Sequence, residues 1–216
     1  WSSVIKRFES AYVIGLTATP QRLDGRGLAS LFTRIITGPS VRSLIDAGHL
    51  ADYRLYAPAG IQTTGVHVRM GDYATNELTL AADKPSITGD VIDHYRNLAD
   101  GKRALVRCVS IKHSQHVAAQ FVSAGYRARH VDGETPTDER DAAFRAFSDG
   151  RLQIITQVDL VNEGLDIPGI ECAIDLRPTM SLSLWLQFCG RALRPAPGKS
   201  HAIILDHAGN TLRQGL

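Results

Sequence analysis

Apolar and polar positions change rhythm along this chain, and the rhythm predicts its elements. The apolar run Tyr12 to Leu16 ends at Thr17-Ala18-Thr19-Pro20, which reads as a buried strand entering a loop. Leu28 to Ile36 and Val41 to Ile45 have helical spacing, and Asp52 to Ala59 reads as a short strand. Ile61 to Asp83 is polar, glycine-bearing and poorly periodic, so it is expected to be a linker or insertion without an assigned role.

From Ser86 onward the pattern becomes regular. Helices are predicted over Ser86 to Ala99, His113 to Ala124, Pro136 to Phe147 and Ser181 to Leu193. Strands are predicted over Ala104 to Ser110, Arg127 to Val131, Leu152 to Thr156, Glu171 to Asp175 and Ala202 to Leu205. Thr135 is the expected N-cap of the third of these helices, with Pro136 in its first turn and Asp138 three residues on. Strands alternating with helices imply an α/β fold, a parallel sheet with helices on both faces. Ligands of such sheets sit in the loops after the strands' carboxyl ends.

Composition narrows this picture little. The 216 residues are 44% hydrophobic, enough for one large domain, or for one domain and a piece of another. Lys+Arg is 24 and Asp+Glu is 22, a formal net charge of +2 that neither requires nor excludes nucleic acid. Cys108, Cys172 and Cys189 are widely spaced and form no C-x-x-C pair, so they are expected to be core thiols in a reducing cytoplasm. No apolar run approaches the roughly 18 residues of a membrane span, and the first residues read as mid-domain sequence rather than a signal peptide.

Two stretches imitate nucleotide motifs. Gly198-Lys199-Ser200 resembles the end of a phosphate loop, but the glycine required five positions earlier is Leu193, so a solvated turn is expected. Asp138-Glu139-Arg140-Asp141 imitates a magnesium-holding acidic box. It opens a helix instead of ending a buried strand, and acids there offset the helix dipole.

The stretch QFCGRALRP, Gln187 to Pro195, poses a sharper question. Arg191 and Arg194 are three apart, so on one helix they would share a face. No Asp or Glu lies between Asp175 and Asp206, and Gly190 lets another backbone approach. A guanidinium is a permanently charged fork of donors suited to phosphate. Supplied from a neighbouring domain it would act as an arginine finger. Upstream, Gly164, Pro168 and Gly169 set a turn in TQVDLVNEGLDIPGIE that would bring Asp166 to the sheet edge. There Asp166 either accepts hydrogen bonds from ribose hydroxyls or caps the turn.

Four segments in order carry a resemblance: GLTATP (15–20), VDGETPTDER (131–140), VNEGLDIP (161–168) and QFCGRALRP. Together they resemble the motifs of superfamily 2 helicases. Thr17-Ala18-Thr19 looks like motif III, Thr156 to Pro168 like motif V, and Gln187-x-x-Gly190-Arg191-x-x-Arg194 like motif VI. The stretch DLRPTMSLSLWLQFCGRALRP most resembles the DEAD/DEAH-type DNA helicases of bacteria and phages that are related to repair and restriction motors.

The resemblance implies two RecA-like domains with ATP and Mg²⁺ between them, the phosphate loop and acidic box belonging to the first. It makes residues 1–50 the last strand and helix of that first domain with a linker, and 51–216 the second domain. Arg191 and Arg194 would then be catalytic, facing the γ-phosphate held by the first domain of the same protein. Gln187 would seat the nucleotide, Gly164 would allow motif V to approach, and Asp166 would contact the ribose or the interdomain network. Thr17, Ala18 and Thr19 would couple the phosphate state to a nucleic-acid groove. In that groove Ser110, Lys112, His113, Gly133, Thr156 and Gln157 are candidates for phosphate contacts, which position the backbone and carry no sequence code; for Lys112 and His113 a solvated helix start is the other reading.

His113 and His116 have no evident third ligand for a metal. The expected partner is nucleic acid, with DNA favoured and no membrane. The alternatives are the duplex-translocating motor subunit of a restriction system and a nucleic-acid-binding module without catalysis.

Overall fold

In the computed structural model the described residues are 2–5, 7–8, 10–17, 19, 32–58, 60–69, 71–160, 167 and 169–215. Two short helices, α1 (Ser2–Ile5) and α2 (Val41–Asp46), precede the edge strand β1 (Asp52–Tyr56). The hairpin β2 (Val68–Arg69) and β3 (Asp72–Tyr73) leads into α3 (Thr75–Ala82) and α4 (Pro85–Ala99). Then follow β4 (Ala104–Arg107), α5 (Ile111–Ser123), β5 (Ala128–Val131), α6 (Thr137–Ser148) and β6 (Ile154–Gln157). The chain closes with β7 (Cys172–Asp175), α7 (Leu182–Ala192), β8 (His201–Asp206) and α8 (Asn210–Arg213).

Six strands form one parallel sheet in the order β1-β8-β7-β4-β6-β5. Its alternating side chains feed two cores, as the period of a strand requires. Leu105, Ile155, Ala173 and Ile204 face Phe147 of α6 and Trp185, Phe188 and Ala192 of α7. Val106, Ile154, Ile174 and Leu205 face Val91 and Tyr95 of α4 and Val117 and Phe121 of α5. The helices after β4 and β7 thus lie on opposite faces, and the crevice where such connections part is where α/β sheets take ligands.

Four expectations need correction. Residues 12–16 form no strand: Tyr12 is fully exposed, Ile14 is 84% and Leu16 95% exposed. No neighbouring strand among the described residues supplies a ladder for them. Leu28 to Ile36 falls partly outside the described residues, and residues 32–36 are not helical. The β-branched run Thr33, Ile35, Ile36, Thr37 before Gly38-Pro39 disfavours helix.

Ile61 to Asp83, expected to be a poorly periodic linker or insertion, carries folded structure on its described residues. Ile61, Leu78 and Ala82 pack with Val109 in a core of their own. Its polarity hid this, because the apolar positions that matter are few and widely spaced. Finally, the N-cap of α6 is Pro136, without a side-chain cap bond. The Thr135 hydroxyl instead donates to Asp132 Oδ1 at 2.9 Å and accepts from the Asp132 amide at 3.0 Å.

Candidate functional site

Because the six strands are parallel, the loops after them leave one edge of the sheet. Near its centre a buried ion pair locks β4 to β7. Arg107 donates Nε to Asp175 Oδ1 at 2.9 Å and Nη2 to Oδ2 at 2.6 Å. The same guanidinium reaches the Leu184 carbonyl at 3.2 Å and lies 4.7 Å from the centre of the Phe188 ring. Burial works against its charge, but the neighbouring Asp175 outweighs burial and raises its pKa. Asn210 Nδ2 donates to Asp175 and to the Arg177 carbonyl, both at 2.9 Å. This network pins α7, the helix of the motif VI-like stretch, against the sheet.

α7 starts where Ser181 accepts the Leu184 amide at 3.3 Å, an N-cap. Trp185, Phe188, Cys189 and Ala192 are its buried stripe at helical spacing. Asp72 supports the entry to the helix: its carboxylate accepts Thr179 Oγ1 at 2.8 Å and the Met180 amide at 2.9 Å. The hairpin of the presumed linker therefore holds the loop before α7.

The helix ends at Ala192 with Leu193 as C-cap. Arg191 is in the last turn and half-buried, its pKa lowered by burial. Arg194 is exposed and lies past the C-cap, so the two arginines do not share a helical face. The reason is Pro195, which disfavours helical backbone at the residue before it. Neither arginine is without a partner in this chain.

Gln187 is exposed, and its Nε2 donates to Thr19 Oγ1 at 2.9 Å and Ser183 Oγ at 3.2 Å. Ser183 Oγ also donates to Thr19 Oγ1, at 2.7 Å. Thr17 braces the same loop: its hydroxyl accepts the Thr19 amide at 3.1 Å and donates to the Thr19 carbonyl at 3.0 Å. Two separate motif-like stretches, Thr17 to Thr19 and Gln187 to Arg194, are thus brought together. Ala18, Gly164 and Asp166 lie outside the described residues.

The remaining candidates divide by exposure. Ser110 caps α5, accepting the His113 amide at 3.3 Å, with exposed Lys112 beside it. Gly133 is exposed, and a side chain added there would meet nothing within 4 Å. His113, Thr156 and Gln157 are buried, at 0%, 0% and 1% exposure, and offer no side-chain surface to an outside strand. His113 accepts the Val109 amide on Nδ1 at 3.4 Å, and burial lowers its pKa to about 4. Its position, pointing inward from the first turn of α5, was not readable from helical spacing so near a cap.

Thr156 instead joins an internal chain. It donates to the Ser114 carbonyl at 2.8 Å and accepts from Ser114 Oγ at 2.9 Å. Ser114 Oγ pairs with His130 Nδ1 at 2.7 Å, and His130 Nε2 with Asp132 Oδ2 at 2.9 Å. Asp132 Oδ1 receives the amides of Glu134 and Thr135 at 3.0 and 2.9 Å, fixing the loop that carries Gly133. Burial opposes the charge of Asp132, but hydrogen bonds from His130 and Thr135 prevail and lower its pKa. The three cysteines are buried, and burial pushes each thiol up.

Sequence reasoning missed Arg107, Asp175, Ser183, His130 and Asn210. Arg107 did carry a signal, since a charge inside the apolar run ALVRCV demands a buried partner.

The chain belongs to the family described as the helicase conserved C-terminal domain, whose model matches residues 84–196. It holds the C-terminal domain of a superfamily 2 helicase, a RecA-like parallel sheet with helices around it. It is 37% identical over 203 residues to the "51.5 kDa protein" of a Lactococcus phage (isolate 7-9), covering 94% of this chain and 44% of that protein. It is 27% identical over 202 residues to "Putative ATP-dependent helicase IRC3" of Saccharomyces cerevisiae, covering 91% of this chain and 29% of that one. A solved fragment of a putative HsdR subunit of a type I restriction enzyme from Vibrio vulnificus YJ016 has the same fold. Its TM-score is 0.77 at 23% identity, over 99% of this chain and 43% of that structure. The chain thus spans less than half the length of these relatives. Among the described residues no helix is long and apolar enough to cross a membrane.

Proposed function

We propose that this chain is the C-terminal half of an ATP-dependent helicase or translocase acting on nucleic acid, with DNA the favoured track. The observation that carries the proposal is the contact of Gln187 and Ser183 with Thr19. It joins the motif VI-like helix to the motif III-like loop, which is the connection a motor needs between nucleotide and track.

In this reading residues 1–50 belong to the end of the first RecA-like domain and a linker, and 51–216 form the second domain. Exposed Tyr12, Ile14, Leu16 and Ile36 favour the assignment, because such a patch calls for a cover. They line a groove of about 1280 Å³ with Val4 and Phe8, which the remainder of the first domain would fill. The phosphate loop and acidic box would lie in that domain. The Mg²⁺ ligands would lie in that domain as well. Bound magnesium would neutralise phosphate charge.

Arg191 and Arg194 would turn to the γ-phosphate and stabilise the charge that develops during its transfer. Gln187 would seat the nucleotide, and Gly164 and Asp166 would complete the motif V side. Ser110, Lys112 and the Gly133 loop would grip phosphates of one strand. The Ser110 hydroxyl, the exposed Lys112 and the exposed Gly133 suit that task, since small hydroxyls, ammonium groups and closely approached backbone bind phosphate without reading bases.

Steady-state ATP hydrolysis by the full-length protein tests this, alone and with single-stranded DNA, duplex DNA or RNA. Stimulation by single-stranded DNA supports the proposal as stated, and stimulation by RNA alone moves the track. Stimulation by duplex alone favours a second reading, the restriction-type translocase. The fold shared with the HsdR fragment over 99% of the chain makes that reading worth separating. The absence of hydrolysis with every nucleic acid would leave a binding module.

A further inference from the structure

We propose that Lys199 is a positioning residue for the arginine-bearing turn, tying the Ala192 and Arg194 carbonyls to that of Ile170. The inference rests on the reading of Arg191 and Arg194 given above. Lys199 belongs to the stretch that imitates a phosphate loop, and its ammonium faces the protein's own backbone. Nζ donates to the Ile170 carbonyl at 2.7 Å, to the Arg194 carbonyl at 2.9 Å, and to the Ala192 carbonyl. An ammonium has three N–H donors, and all three are used.

The three acceptors belong to two different parts of the site. Ala192 ends α7 and Arg194 is the exposed arginine beyond its cap, where orphan carbonyls need donors. Ile170 directly precedes Glu171 and β7, at the exit of the motif V-like stretch. A single side chain thereby clamps the turn carrying both arginines to the segment leading back from the nucleotide side. The hydrogen bond from the Leu193 amide to the Gly190 carbonyl at 3.2 Å shapes the same turn from within. With Pro195 barring helix continuation, ties from elsewhere in the chain set this turn, Lys199 on the Arg194 carbonyl and the Ala51 amide on the Leu193 carbonyl at 2.8 Å.

The environment makes this clamp titratable. Burial lowers the Lys199 pKa to about 8, Glu171 opposes that, and Arg103 and Lys102 add to it. Above that pH the neutral amine keeps two N–H donors for three carbonyls, and one tie is lost.

The test measures nucleic-acid-stimulated ATP turnover of the full-length protein with Lys199→Met, Lys199→Arg and Arg194→Ala. Lys199→Met should lower kcat by roughly tenfold to a hundredfold, with KM for ATP changed by about twofold at most, as expected for misplacement of a transition-state group. Wild-type kcat should fall as pH rises through about 8. Lys199→Arg, which keeps its charge, should hold activity to higher pH. If Arg194→Ala turns over like wild type, the arginine reading fails and this inference with it. If Arg194→Ala is inactive while a folded Lys199→Met keeps wild-type kcat, the clamp alone is wrong. Should Lys199→Met not fold, an identical high-pH limb in Lys199→Arg and wild type overturns the clamp.

Discussion

Gln187 donates its side-chain amide to the Thr19 hydroxyl at 2.9 Å, across 168 positions of chain. Ser183, one helical turn earlier, donates to the same oxygen at 2.7 Å. One threonine hydroxyl therefore receives two donors from the helix that carries the proposed phosphate-sensing arginine. Thr19→Val removes the acceptor and keeps the shape. In the full-length protein it should cut nucleic-acid stimulation of ATP hydrolysis by roughly fivefold or more, the size of a typical coupling energy. Unstimulated hydrolysis should change little. Stimulation equal to wild type would mean that this contact is packing only.

Arg194→Ala should reduce kcat for ATP hydrolysis by roughly a thousandfold, with nucleotide binding largely retained, because a finger acts on charge that appears in the transition state. Arg191→Ala should show the same pattern, with added loss of stability from its half-buried stem. Turnover alongside equilibrium binding of a fluorescent ATP analogue separates the two effects. Equal losses in binding and turnover would assign these arginines to ground-state binding instead.

Asp175→Ala should destabilise the fold by about 3–5 kcal/mol, since it strands the buried Arg107 without its carboxylate. It also deprives Asn210 Nδ2 of one of its two acceptors. The urea unfolding midpoint measures this, and a shift below about 1 kcal/mol would show that water or a rearranged Asn210 replaces the pair.

Mild acid should weaken the protein through two buried imidazoles. Burial lowers the pKa of His113 and of His207 from 6.5 to about 4, with His94, its ring centre 5.0 Å from that of His207, contributing to the His207 shift. The unfolded chain takes up these protons below about 6.5 while the folded protein refuses them until about 4. Stability from this source is thus complete above 6.5 and is lost as pH falls to 4, on the order of 3 kcal/mol for each histidine. Melting curves of wild type and His207→Gln over that range should converge as pH falls. A constant gap between them would show that His207 titrates normally.

The regular half of the molecule was legible in the sequence. From Ser86 on, the predicted strands and helices match the observed ones to within a few residues at each end, because period-2 and period-3.6 patterns register directly on burial. The order of the motif-like stretches carried the family as well. The first half was less legible, since residues 12–16 have the composition of a buried strand and no sheet among the described residues to join. Residues 61–83 hold a small core through only a few apolar positions, too sparse for periodicity to reveal.

At the site, residue types and spacing determined which side chains could meet phosphate. Tertiary structure decided which of them reach the surface. His113 and Thr156 look like groove residues one position at a time, yet one packs beneath its own helix cap and the other joins Ser114 and His130 inside. It also turned Lys199, expected in a solvated turn, into a donor to three backbone carbonyls. The physical reason is that sequence specifies donors and acceptors locally, whereas their partners are set by elements far away in the chain. Arg107 with Asp175 and Gln187 with Thr19 become neighbours only when the sheet closes.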